Sequence, residues 1–248
     1  MEAIKKVFVS LQLGTSTGMK LFQLLLMTVA LLSVNTHAAV SETASNGSIA
    51  DIKEYTGPEK AVWDTTQTLL NIIEEERESY KENPSAFYDR VAVALEPVVG
   101  FRRIAAMVMG KYYKKASKPE RQEFSNLFKT SLVETYSGGL IEYDGYKISI
   151  KQGDAIPEGK KTAVVDVVIT TSSGTAVPLK YSMYRTKAGL WKVQNVTVAG
   201  INVGLLYRQQ FARKVAEASG DIGAVVSNWS SRLEVEVEDG EIKTPTAK

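Results

Sequence analysis

The chain has 248 residues, 44% hydrophobic, 23% charged and 8% aromatic, which excludes wholesale disorder, collagen-like repeats and low-complexity sequence. It has no cysteine, so disulfides, thiolate metal sites and cysteine nucleophiles are excluded, and its single histidine is His37. Lys and Arg number 30 against 28 Asp and Glu, a balance that offers no large single-sign field.

Leu21 to Val34 is an apolar run of 14 residues, preceded by Lys5, Lys6 and Lys20 and followed by Thr36-His37-Ala38. A basic segment, a short apolar run and small residues before a cut after Ala38 read as a signal peptide over residues 1–38. The run is shorter than the roughly 20 apolar residues of a membrane span. A start at Met19 would place Met-Lys directly before it. Removing residues 1–38 takes away Lys5, Lys6, Lys20, Glu2 and His37, leaving 27 basic and 27 acidic residues. A net charge near zero gives no support for a nucleic-acid partner. An exported chain with neither Cys nor His lacks the parts of nucleophilic triads and of most transition-metal sites.

Residues 39–55 are small and polar and read as a flexible leader. Thr56-Gly57-Pro58-Glu59 has the form of a capping box and opens a helix with Val62, Thr66, Leu69, Ile73 and Tyr80 near helical period. Asn83-Pro84 starts a second helix, with Phe87, Val91, Ala94 and Leu95 on one side and Pro97 ending it. Phe101 to Tyr113 reads as a third. Ser117-Lys118-Pro119-Glu120, a second capping box, opens a long helix with Phe124, Leu127, Phe128, Ser131, Leu132, Thr135 and Tyr136 on a wide face. Gly138-Gly139 then either kinks that helix or lets another backbone approach.

After Asp144-Gly145 the period becomes two. Tyr146, Ile148 and Ile150 alternate with polar residues, and Ala163, Val165, Val167 and Ile169 share one face of a strand over Lys161 to Ser172. Val177, Leu179, Tyr181 and Met183 follow a turn at Ser172-Ser173-Gly174, and Trp191, Val193, Val196 and Val198 follow one at Lys187-Ala188-Gly189. Short connections imply antiparallel pairing. Gly200 to Ala218 and Ile222 to Leu233 return to helix, and residues 235–248 read as a tail. The order is α+β: one domain over residues 56–234, with a helical half (56–143), a four-stranded sheet (144–199) and C-terminal helices (200–234).

The motifs for chemistry are weak. Gly153 to Lys161 is the nearest approach to a phosphate loop, but its glycines are one residue too far apart and Lys161 stands where Ser or Thr is needed, so it reads as a hairpin turn. Glu74, Glu75 and Glu76 form a solvated helix face, and no loop is dense enough in Asp and Asn to bind calcium. Lys111-Tyr112-Tyr113-Lys114-Lys115 at a helix end either compensates the helix dipole or contacts acidic headgroups or an acidic partner. Arg102, Arg103, Arg208 and Arg213 share both readings. The apolar arc of the long helix and the apolar face of the sheet either fill each other or enclose a tunnel for an apolar ligand.

Two segments narrow these alternatives. One runs from Phe101 through Gly110-Lys-Tyr112-Tyr113 and Ser117-Lys-Pro-Glu120-Arg121 to Phe124, Phe128, Leu132 and Thr135-Tyr136. The other is Trp191-Lys-Val193-Gln-Asn195 through Val198-Ala-Gly200-Ile201-Asn-Val203, then Tyr207-Arg208-Gln-Gln-Phe211. Together they resemble the MlaC family of periplasmic phospholipid-binding proteins, also called toluene-tolerance auxiliary proteins, over roughly Pro58 to Leu233. That resemblance implies a curved antiparallel sheet packed with helices around a deep apolar lipid pocket. It implies a periplasmic carrier that moves phospholipid between an outer-membrane lipoprotein complex and an inner-membrane ABC transporter with an MCE-domain subunit, maintaining outer-membrane lipid asymmetry. It implies phospholipid as cargo, no cofactor, no metal and no catalytic residue. Acidic residues are expected near Asn195 and Ala199, where this chain has an amide and a methyl.

Facing then gives the lipid-binding candidates: Phe128, Leu132 and Tyr136 on the long helix, and Val165, Val167, Ile169, Leu179, Tyr181 and Met183 on the sheet. Lys111, Lys114, Lys115 and Arg208 are the candidates for headgroup or partner contact. Two other readings stand beside the carrier. One is an interaction module with a filled core. The other is a small enzyme on a cone-shaped α+β scaffold using Tyr181 and Asp166, which strand parity puts on opposite faces.

Overall fold

A computed structural model of the chain describes residues 55–141, 147–171, 174–233, 237–238 and 241–242. The signal peptide, the leader up to its last residue and the turns at 144–145 and 172–173 lie outside the described residues. Tyr55, the leader's last residue, donates its hydroxyl to the Ile150 carbonyl at 3.2 Å, with its ring 5.3 Å from that of Trp63.

Four helices come first. Helix α1 (Gly57–Glu76) buries Val62, Leu69, Leu70 and Ile73 at helical spacing. Its expected capping box does not form. The Thr56 side chain caps nothing, and the Glu59 carboxylate accepts a hydrogen bond from Gly153 N at 3.3 Å. Helix α2 (Pro84–Leu95) starts as read, with Asn83 Oδ1 accepting from Ala86 N at 3.3 Å. Helix α3 (Phe101–Met109) is shorter than expected: Gly110 at φ +53° breaks it, and a 3-10 turn follows. Helix α4 (Lys118–Ile141) has the reciprocal capping box, Ser117 N to Glu120 Oε2 at 2.6 Å and Glu120 N to Ser117 Oγ at 3.3 Å. At Gly138 of α4 the neighbour that approaches is a side chain rather than another backbone. A Cβ there would stand 2.9 Å from the Tyr80 hydroxyl, so its bareness accommodates an aromatic side chain.

The sheet has five strands rather than four, all antiparallel, in the order β1 (Lys147–Ile150), β2 (Thr162–Thr170), β3 (Ala176–Arg185), β4 (Trp191–Val198), β5 (Ile201–Asn202). Val165 faces Tyr181, Val167 faces Leu179 and Ile169 faces Val177, which puts the inward residues of β2 and β3 in cross-strand pairs. The register shifts between β3 and β4: Ser182 is opposite Asn195 but Met183 is opposite Val193. Gln194 is therefore a bulge residue. Without it Val193 and Val196, three apart, would point to opposite faces. The segment Val98–Gly100 pairs with β4 at Val193, through Val193 N to Val98 O (2.7 Å) and Gly100 N to Val193 O (2.9 Å). A Cβ at position 100 would lie 2.8 Å from the Tyr184 ring and 3.1 Å from the Val193 carbonyl, so any side chain there would displace Tyr184.

The fifth strand takes residues that the sequence assigns to a helix. Asn202 caps α5 (Val203–Glu217) by accepting from Leu205 N at 3.0 Å, so the helix begins after it. Helix α6 is only Ile222–Ser227, not Ile222 to Leu233. Beyond it the chain enters the core without helix, burying Trp229, Ser231 and Leu233. The Trp229 indole donates to Ser231 Oγ at 3.0 Å, and Ser231 N donates to Ser131 Oγ at 2.6 Å. Within residues 235–248 two short strands, β6 (Val237–Glu238) and β7 (Glu241–Ile242), pair antiparallel.

Phe124 anchors the packing of α4 against these C-terminal elements. It is fully buried, with its ring 4.9 Å from Phe211 and 5.1 Å from Trp229, both edge-on. Phe124→Ala is expected to lower the unfolding free energy by about 3–5 kcal/mol in urea titrations. Val93→Ala, at a side chain 72% exposed, is expected to change it by less than about 0.5 kcal/mol. Equal effects would mean that the aromatic cluster does not hold the helices together.

Candidate functional site

Between α3, α4, α5 and the inner face of β3 and β4 lies an apolar cavity of about 80 Å³, open to solvent on one side. Helical spacing supplies three walls: Phe101 and Ile104 from α3, Phe128 and Leu132 from α4, Val203 and Tyr207 from α5. The sheet supplies Tyr181 from β3 and, through the bulge, both Val193 and Val196 from β4. Leu95 at the end of α2, Val99 and Gly204 complete the lining with Asn195.

Asn195 is the one amide in this lining, and its polar atoms are engaged. Its Nδ2 donates to Asn202 Oδ1 at 2.9 Å and its Oδ1 accepts from Gly204 N at 3.0 Å. The side chain thereby ties β4 to the first turn of α5. Gly204 is required for this approach, because a Cβ there would stand 2.3 Å from Asn195 Oδ1.

Tyr207 contributes its ring to the cavity and turns its hydroxyl away from it. The Tyr207 and Tyr136 hydroxyls each lie 2.8 Å from the Ser231 carbonyl and 3.3 Å from each other. Leu233 N donates to Tyr136 Oη at 3.2 Å. Burial pushes the Tyr207 phenol well above the ordinary tyrosine value, with Tyr136 beside it adding to the shift; burial also raises Tyr136.

Of the nine lipid-binding candidates, Phe128, Leu132 and Tyr181 line the cavity together. Tyr136 stands one turn beyond Leu132 on α4, behind Tyr207. Val165, Val167, Ile169, Leu179 and Met183 point inward from the sheet but are buried in the filled core and do not line the cavity. The residues that facing alone missed are on α3, on α5 and along the bulge. Two of them carried a signal, since the three-residue spacing of Val193 and Val196 breaks strict alternation and marks a bulge.

The basic candidates also lie outside the cavity lining. Lys111 and Lys115 sit over the Tyr112 ring at 5.3 and 6.0 Å. The Lys114 carbonyl accepts from Arg121 Nη2 at 3.3 Å. Arg208 lies across Gly110, where a Cβ would come 2.7 Å from its Nε, and so places a cation at the C-terminal end of α3. Asp166 pairs with Lys180 at 2.8 Å on the outer face of the sheet, while Tyr181 points inward, so those two do not meet. Among the described residues no cluster of His, Cys, Asp and Glu is placed to hold a metal ion, and no helix is long and apolar enough to cross a membrane.

By its fold and its site the chain is an α+β protein that walls an apolar cavity with helices on one side and a bulged sheet on the other. The family model for the MlaC protein matches residues 64–231, and the chain belongs to the MlaC family. It is 36% identical over 177 residues to the toluene tolerance protein Ttg2D of Pseudomonas putida, covering 71% of this chain and 81% of that one. It is 27% identical over 187 residues to the intermembrane phospholipid transport system binding protein MlaC of Haemophilus influenzae, covering 75% of this chain and 83% of that one. The structure of a phospholipid-binding protein from Ralstonia solanacearum, solved in complex with a phospholipid, shares the fold. The TM-score is 0.62 at 23% identity, over 69% of this chain and 94% of that one.

The tyrosine pair predicts an alkaline signature. The folded state holds these protons above the unfolded value of about 10. Their contribution to stability is therefore fully present below about pH 10 and is lost as pH rises through the folded values. Urea midpoints are expected to fall between about pH 9 and pH 11, and to fall less in Tyr136→Phe/Tyr207→Phe. An identical fall in both proteins would exclude the pair as its source.

Proposed function

We propose that this protein is a periplasmic phospholipid carrier that moves lipid between an outer-membrane lipoprotein complex and an inner-membrane ABC transporter with an MCE-domain subunit, and so maintains outer-membrane lipid asymmetry. The observation that carries the reading is the cavity itself, walled by Phe101, Ile104, Phe128, Leu132, Tyr181, Val196 and Tyr207 in a member of the MlaC family. The signal-peptide pattern of residues 1–38 supports export.

Physical chemistry favours an acyl tail as the occupant. Each methylene removed from water is worth about 0.8 kcal/mol, so a sixteen-carbon tail gains roughly 12 kcal/mol from an apolar sleeve. A methylene needs about the space of a water, some 30 Å³, so such a tail needs on the order of 480 Å³. The cavity, at about 80 Å³, is far smaller than one tail, so its walls must move apart to admit one. A charged phosphate stays at the mouth, in water, because burying it is costly. Val165, Val167, Ile169, Leu179 and Met183 then act as the floor that supports the lining, and Tyr136 as its brace through Ser231.

Protein purified from the periplasm without detergent is expected to show a native mass above its denatured mass, with the excess fragmenting as phospholipid. Leu132→Trp, which fills the cavity from α4, is expected to cut that occupancy about tenfold while the thermal midpoint moves by only a few degrees. A wild-type protein that carries no lipid and takes none from vesicles would sink the carrier reading.

A further inference from the structure

A second recess, of about 520 Å³, lies between α3 and α4 and shares no lining residue with the apolar cavity. Helix α3 presents Arg102 and Arg103 to it, and α4 presents Lys118 and Arg121, with Tyr113 and Gln122 beside them. No carboxylate lines it. Among the described residues none of the four cations forms an ion pair, although exposed acids elsewhere pair with Lys60, Arg90, Lys129, Lys180 and Arg213. Four like charges are thus gathered in one groove of a chain whose exported part is close to neutral. Such a groove raises the local concentration of anions and pairs with an acidic partner.

Two of the guanidinium groups are held in place. Arg103 lies over the Tyr184 ring at 4.5 Å and Arg121 over the Tyr113 ring at 4.6 Å. Arg121 also donates from Nη2 to the Lys114 carbonyl at 3.3 Å, while its Nε is buried with no hydrogen-bond partner among the described residues. Stacking of this kind reduces the rotamer freedom that a partner would otherwise have to freeze. Tyr113 at the groove and Met107, one turn beyond Arg103, are 36% and 44% exposed. Arg, Tyr and Met are the residue types enriched in protein interfaces.

We propose that the α3–α4 groove is the docking site for an acidic segment of a protein partner, which on the carrier reading above is a transport complex that exchanges lipid with this chain. Charge favours a peptide over a small anion: the four cations that two helices bring to the recess exceed what one phosphate neutralises. Arg121 is only partly exposed, with its Nε buried, which favours a partner that enters the recess over a flat bilayer. Helix α3 forms part of both sites, with Phe101 and Ile104 on the cavity and Arg102 and Arg103 in the groove. A partner seated in the groove therefore bears on a wall of the cavity.

The test uses the exported chain and a fluorescein-labelled peptide of eight glutamates, read by anisotropy at low salt and at about 0.15 M, where exposed charges are largely screened. Binding at low salt is expected to weaken about tenfold in Arg102→Gln/Lys118→Gln, and less than twofold in Lys160→Gln/Lys161→Gln, which removes two exposed charges from the hairpin turn. Equal losses in the two variants would overturn the groove as the site. So would displacement of the peptide by an equal charge concentration of inorganic phosphate, which points to a small-anion site. A groove-dependent loss of binding to phosphatidylglycerol vesicles, with peptide binding intact, would overturn it in favour of a membrane surface. Native mass of the same samples keeps the two readings apart. Lipid occupancy unchanged in the groove variant with peptide binding lost supports docking, whereas a lipid-free wild type that still binds peptide through the groove removes only the carrier reading.

Discussion

Between Ser182–Asn195 and Met183–Val193 the fourth strand carries one residue more than the third, and much of the cavity follows from that surplus. The bulge at Gln194 turns Val193 and Val196 to the same side of the sheet, where both line the cavity. It leaves Val193 free to exchange backbone hydrogen bonds with Val98 and Gly100, which carries the chain into α3 directly beside the strand. It also places Asn195 within reach of Asn202 and Gly204, fixing the start of α5. Two helices that wall the cavity are thus positioned from a single irregularity in one strand. A regular β4 would send either Val193 or Val196 to the outer face and lose half of that wall.

The polar groups nearest the cavity are arranged so that the interior stays apolar. Tyr207 offers a ring to the cavity and a hydroxyl to Ser231, and Gln210, one turn further along α5, donates to the Arg232 carbonyl at 2.9 Å. The C-terminal segment enters the core without helix or sheet, so its backbone groups need side-chain partners. An unmet buried donor or acceptor costs about 1–3 kcal/mol. Tyr136, Tyr207, Gln210 and Ser131 supply those partners. The same contacts pin α4 and α5, whose other residues face the cavity. Helix placement is thereby settled behind the cavity, whose lining carries polar side-chain groups only at Asn195, Tyr181 and Tyr207.

Local signals in the sequence located most of the elements, and long-range pairing decided where they misled. The two capping boxes make the contrast plain. Ser117 and Glu120 satisfy each other, whereas Glu59, at the same spacing from Thr56, is drawn to Gly153 N, 94 residues away. Alternation identified the inward residues of β2 and β3 correctly as a face. It held no information on which part of that face is covered by helices and which borders a void, so Val165 and Leu179 looked equivalent to Tyr181. Phe128 and Leu132 were legible because an aromatic and aliphatic stripe on α4 continues past the core. Phe101, Ile104 and Tyr207 were not, because they share one face of α3 or α5 with residues of the filled core and period alone does not rank them. The choice between a filled core and a tunnel came from the family resemblance, not from periodicity.

On the carrier reading, the apolar lining sets the energetic problem that the charged groove addresses. A tail gains roughly 12 kcal/mol on leaving water, so escape into solvent is slow. Passage from one apolar sleeve to another leaves that term nearly unchanged, because the methylenes are covered at both ends. The barrier lies in the exposed interval between them, and it falls when two mouths are brought together before the tail moves. Apolar contact alone orients such an encounter poorly, since it is non-directional. Charge acts at longer range, steers the approach and loosens with salt. A groove lined by four cations that form no ion pair among the described residues, and sharing α3 with the cavity, therefore couples orientation of the partner to a wall of the cavity.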